Sequence, residues 1–91
     1  PEWWNDEGLK ALSARVVRAA PDGGQTNQMR AVVLSGLTSA WEVGPRSVAE
    51  LKEAATHYER AAALYPAPAV KADLAGCAAR CRSRADAVCN A

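Results

Sequence analysis

The chain has no phenylalanine and a single histidine, and its bulk rests on Leu, Val, three Trp and two Tyr among 91 residues. Many of the remaining apolar positions are alanine, which buries little area per residue, so one small domain with a thin core is expected. Neither sign of charge is in excess. The 11 basic and 10 acidic side chains leave no strong field to draw the protein to nucleic acid or to an acidic membrane. No apolar run approaches the roughly 18 residues that a bilayer span requires, and the N-terminal stretch is too charged for a secretory core. Cysteine is scarce: three residues, Cys77, Cys81 and Cys89, all near the C-terminus. An odd, clustered set is not the disulfide framework of a small secreted scaffold, so a soluble domain in a reducing compartment is expected. Strand signals are lacking throughout. A first residue of Pro1 in place of Met suggests part of a longer chain or assembly.

What is present is helical punctuation, which places four helices at about 6–20, 27–42, 48–65 and 69–89. Asn5 suits an N-cap, Asp6 and Glu7 suit the first turn, and Trp4 and Leu9 suit a hydrophobic staple. Leu9, Leu12, Val16 and Ala19 then recur at helical steps, until Pro21-Asp-Gly-Gly24 stops the first helix. The second is expected to begin near Thr26 or Asn27 and to carry Met29, Val33, Leu37 and Trp41, with Gly36 and Ala40 as a smooth patch. Ser47-x-x-Glu50 reads as a capping box opening the third. That helix aligns Val48, Leu51, Ala55, Tyr58, Ala62 and Tyr65, with Ala54 and Ala61 alongside, and places Glu53 and His57 on an outer, solvated flank. Pro66 and Pro68 mark its exit. The fourth aligns Val70, Leu74, Cys77, Cys81 and Val88, with Lys71, Arg80, Arg82 and Arg84 largely elsewhere.

The run Ala54-x3-Tyr58-x2-Ala61-x4-Pro66 resembles the second helix of a tetratricopeptide repeat. In that family two small residues let paired helices approach, an aromatic fills the gap and a proline ends the unit. Gly36 would supply the small residue of the first helix, with Ser35 and Ser39 standing where that family has Leu and Tyr. The segment from Arg46 to Asp86 is also similar to helical regions of uncharacterised algal proteins, some of which carry MYND-type zinc fingers. These resemblances imply a helical module that binds other proteins.

Signals for chemistry are few. Cys77-x3-Cys81-x7-Cys89 resembles part of a MYND-type zinc site, but three thiolates leave zinc one ligand short unless His57 or a partner completes it. Two of them, Cys77 and Cys81, lie in line with Leu74 and read as small buried hydrophobes. His57 has no evident reacting partner, and a contact with Glu53 one turn earlier is an ordinary helix pair. Gly23-Gly24 lacks the lysine and the preceding strand of a phosphate loop. Arg80, Arg82 and Arg84, with Lys71, make the last quarter positive. An Arg82–Asp86 pair and the absence of interleaved aromatics point to a solvated face or an acidic protein partner before nucleic acid. Adjacent Trp3 and Trp4 project about 100° apart on a helix, so both cannot face one small core.

The expectation is therefore an all-α, four-helix antiparallel bundle with tetratricopeptide-like pairing, acting as a protein-interaction or scaffold module. No catalytic, cofactor-binding or metal-binding residue is assigned. Gly36, Trp41, Leu51, Ala54, Tyr58 and Ala61 are expected to pack the helix pair, and Trp3, Arg80, Arg82 and Arg84 to touch a partner. The face between the second and third helices is the expected docking place, and the partner another protein or peptide. A small structural subunit of a larger assembly is the alternative.

Overall fold

The structure, a computed structural model, describes residues 4–89. It is an all-α four-helix bundle. The helices are α1 (Asp6–Ala19), α2 (Gly24–Ser35), α3 (Val48–Leu64) and α4 (Pro68–Cys89). They pack in chain order, with α3 between α2 and α4 and with α1 laid chiefly against α2. Neighbours run antiparallel: Tyr65, just after α3, hydrogen-bonds Gln28 in the second turn of α2. Toward the other end of α3, Glu53 meets Arg30.

Local chemistry accounts for two of the starts. At α1 the Asn5 side chain accepts from the Gly8 amide at 2.8 Å, with Asp6 and Glu7 following in the first turn. At α3 the capping box is complete: Ser47 accepts from the Glu50 amide at 3.1 Å, and Glu50 accepts from the Ser47 amide at 3.0 Å. The α2 start falls at Gly24, before the expected Thr26 or Asn27. Those two side chains do not cap the helix. They donate backwards into the turn, Thr26 to the Ala20 and Gly23 carbonyls and Asn27 to the Pro21 and Gly23 carbonyls.

The C-terminus of α2 departs most from expectation. The helix ends at Ser35, not near residue 42, because Gly36 takes the left-handed conformation at φ 69°. Gly36 thus closes a helix and does not smooth its packing face. Trp41 lies in the connector between α2 and α3, so it does not extend the α2 stripe. Three consecutive end carbonyls of α2 are met by guanidinium groups. Arg46 reaches those of Val33 and Leu34 at 3.0 and 2.9 Å, and Arg84 reaches that of Ser35 at 3.0 Å. This satisfies carbonyls that helix geometry leaves open and places positive charge at the negative end of the dipole.

The core is centred on α3. Ala54, Ala55, Tyr58 and Ala61 are buried against Ala31 and Leu34 of α2 and against Leu74, Ala78 and Cys81 of α4. Alanine at these positions lets the three backbones approach, and Tyr58 supplies the volume between them. Its hydroxyl faces Ser35 Oγ at 3.4 Å, and Ser35 in turn donates to the Val32 carbonyl. Leu51 is buried too, at the α3 start. Along α4 the buried positions are Leu74, Ala78, Cys81 and Ala85, while Val88 is exposed. From their shared connector, α4 runs for 22 residues and α3 for 17, so the last turn of α4 overhangs. In α1 only Leu9 and Ser13 are buried, because that helix has a neighbour on one side.

Replacing Gly36 with Ala should lower the unfolding free energy by about 2 kcal/mol, since an L residue is strained at this φ. A Cβ there would also meet Val43 Cγ1 at 2.6 Å. Urea unfolding followed by circular dichroism should show a lower midpoint at unchanged slope.

Candidate functional site

The charged centre of the molecule lies where α1 begins and the α2–α3 connector ends. Asp6 and Arg46 form a two-pronged ion pair, with Nη1 to Oδ2 at 2.7 Å and Nη2 to Oδ1 at 2.6 Å. The same carboxylate accepts from Trp41 Nε1 at 2.9 Å and from the Gly44 amide at 3.2 Å. The Arg46 side chain is 2 % exposed. Its hydrogen bonds to Asp6 hold that carboxyl well below the usual carboxylate range, against the opposing effect of burial. Lys10 adds a second tie from α1 to the first turn of α3, meeting Glu50 at 2.7 Å.

This pinning places Trp41 beside Trp4, with ring centroids 6.4 Å apart and planes at 79°. The edge-to-face pair separates two depressions. On one side an open, mainly apolar groove of about 490 Å³ runs between Leu9 and Leu12 of α1 and Met29, Val32 and Val33 of α2. On the other side is a cleft of about 610 Å³, bordered by Asn5, Asp6, Glu7, Glu42 and Gly44. Trp4 and Trp41 wall both. The hydrophobic staple expected of Trp4 and Leu9 thus takes the form of a groove wall that includes them both, with Trp4 48 % exposed.

His57 is buried, and not on a solvated flank as its sequence position suggests. Asn27 explains this. Its amide nitrogen donates to the Pro21 and Gly23 carbonyls, which aims Oδ1 at His57 Nδ1, 2.8 Å away. The neutral imidazole therefore carries its proton on Nδ1. Nε2 faces Glu53 at 3.4 Å, and Glu53 also accepts from Arg30. Arg30 continues the network to Ser13 and the Lys10 carbonyl on α1. Among the described residues no buried side-chain nitrogen or oxygen lacks a hydrogen-bond partner. Burial pushes the His57 imidazole down from its ordinary value, with Glu53 opposing.

The structure divides the expected contact residues. The role expected of Trp3 lies outside the described residues. Arg80, Arg82 and Arg84 are all exposed. Arg82 pairs with Glu59 of α3 at 2.6 Å and not with Asp86, and Arg84 donates to the Ser35 carbonyl. The α2–α3 face expected to dock a partner is itself filled by the core. Cys81 is buried, Cys77 half-buried and Cys89 exposed. Among the described residues no three His, Cys, Asp or Glu side chains converge on a metal position. No helix there is long and apolar enough to cross a membrane.

Local patterning misses the Asp6–Arg46 pair because its partners are 40 residues apart. Asp6 alone reads as a first-turn acid and Arg46 as part of a turn. The half-buried Leu12 and Met29 carried the available signal for the groove. Each belongs to an apolar stripe on a helix, and a domain this small has little interior to absorb both. Comparison of the chain with protein-family models, curated proteins and solved structures finds no match in any of the three.

Replacing Asp6 with Ala should cost about 3 kcal/mol, because it strands a buried guanidinium, and should alter Trp41 fluorescence. In acid titrations the Asp6 contribution is present above the ordinary carboxylate value of about 4. It is lost as pH falls further, because the unfolded chain takes up that proton first. The Ala variant should lack this component. A separate loss should begin below about pH 6.5, where unfolded His57 is protonated before the folded imidazole. In His57→Gln that limb should vanish from stability measured between pH 7.5 and 5.

Proposed function

We propose that the domain is a protein-interaction module without catalytic activity, and that its α1–α2 groove receives an amphipathic helix from another polypeptide. The observation that carries this reading is the groove itself, an open apolar channel on a domain whose interior is rich in alanine. Its walls are two antiparallel helices, and α2, at 12 residues, offers about 18 Å of length. A helix laid there would do for α1 what α2 and α4 do for α3, covering the apolar flank that the row of four helices leaves open. A second copy of the chain is a poorer fit. The other exposed large apolar side chains, Leu64 and Val88, sit at opposite ends of the α3–α4 pair and make no ridge. The small, small, aromatic arrangement of Ala54, Ala61 and Tyr58 supports a tetratricopeptide-like pairing of α2 with α3, which accords with a binding role.

The reading excludes the core from binding and assigns it to Leu12 and Met29, which tolerate substitution because neither is fully buried. Fluorescence anisotropy with a 14-residue helical peptide carrying leucines at i, i+3, i+4 and i+7 should show saturable binding. Leu12→Glu and Met29→Glu should each weaken it at least about tenfold, by burying an unpaired charge against the peptide, while leaving the helical circular dichroism intact. Absence of binding, or equal binding by both variants, would overturn the reading.

A further inference from the structure

We infer that the segment received by the groove carries a basic side chain at the end that lies against Trp4 and Trp41. This deepens the proposed function and rests on the groove reading. The groove lining is apolar apart from Gln25 and Gln28, so nothing within it distinguishes one direction of a bound helix from the other. The adjoining cleft does, because it is acidic and shares the two indoles with the groove.

Among the described residues the charge in that cleft is not neutralised from within. The Asp6 carboxylate is committed to Arg46. Glu7 is highly exposed, at 86 %, and its neighbour Lys10 stands 3.6 Å away while lying closer, at 2.7 Å, to Glu50. Glu42 is exposed and makes no ion pair among the described residues. Asp6, Glu7 and Glu42 line the cleft, while Arg46 and Lys10 are shared among Asp6, Glu7 and Glu50, which leaves a negative excess among the described residues beside two aromatic rings. A lysine or arginine crossing from groove to cleft would pass over the indoles, where cation–π attraction acts, and end between Glu7 and Glu42. An acidic side chain would meet repulsion there, which sets specificity as much as attraction does. A nucleic acid backbone is disfavoured for the same reason.

Four versions of one amphipathic peptide test this: lysine at the terminal position, norleucine there, glutamate there, and lysine moved to the opposite end. The terminal-lysine peptide should bind about three- to tenfold more tightly than the norleucine peptide, and the glutamate peptide most weakly. The lysine advantage should shrink in high salt and be lost when lysine is moved. In the Glu7→Gln, Glu42→Gln double variant the lysine advantage should disappear, with only a small loss of melting temperature from the first turn of α1. If the four peptides bind alike and Met29→Glu still weakens them, the charge selection is wrong and the groove stands. If none binds, both fall.

Discussion

The Asp6–Arg46 pair is the constraint on which the rest of the molecule depends. One carboxylate at the start of α1 gathers a guanidinium, an indole N–H and a backbone amide from the α2–α3 connector. The same guanidinium closes two carbonyls at the end of α2. Removing a buried charge from water is costly unless every prong finds a partner. Here each does, so the pair sets geometry: where α2 stops, how the connector folds back, and at what position α1 begins.

Two polar networks and one apolar core divide the work of holding four helices. The core joins α2, α3 and α4 through alanines and Tyr58. Of the large side chains of α1 only Leu9 is buried, so that helix is held largely by hydrogen bonds and ion pairs: Asp6 to Arg46, Lys10 to Glu50, and Arg30 to Ser13 and Lys10. The arrangement suits a chain without phenylalanine. Where apolar volume is short, satisfied polar contacts set the register that packing would otherwise impose.

Periodicity and caps were enough for the helices whose ends are defined locally. Asn5, Ser47 and Glu50 act within one turn of themselves, and the α3 stripe is buried much as its spacing implies. Features set by distant partners were not legible. Gly36 reads as a smooth spot in a helix until Val43 and Arg46 come to lie over it, and Trp41 fits an apolar period while its N–H is needed 35 residues away. His57 looks solvated by its helical phase, yet Asn27 reaches it from the neighbouring helix. The groove escaped for a related reason: periodicity marks a stripe as apolar without saying whether a neighbour covers it.

The one-sided attachment of α1 has a thermodynamic consequence. A helix joined mainly to one neighbour, with little buried apolar area, opens at a lower cost than the core does, although its release breaks the Asp6–Arg46 pair and loosens the connector and the α2 end with it. The groove has α1 for one wall, so it exists only in the docked state. Any occupant therefore binds the docked population and draws the undocked one after it, its apparent affinity scaled by the fraction docked. Occupancy and the local order of the first helix are then two measures of one equilibrium.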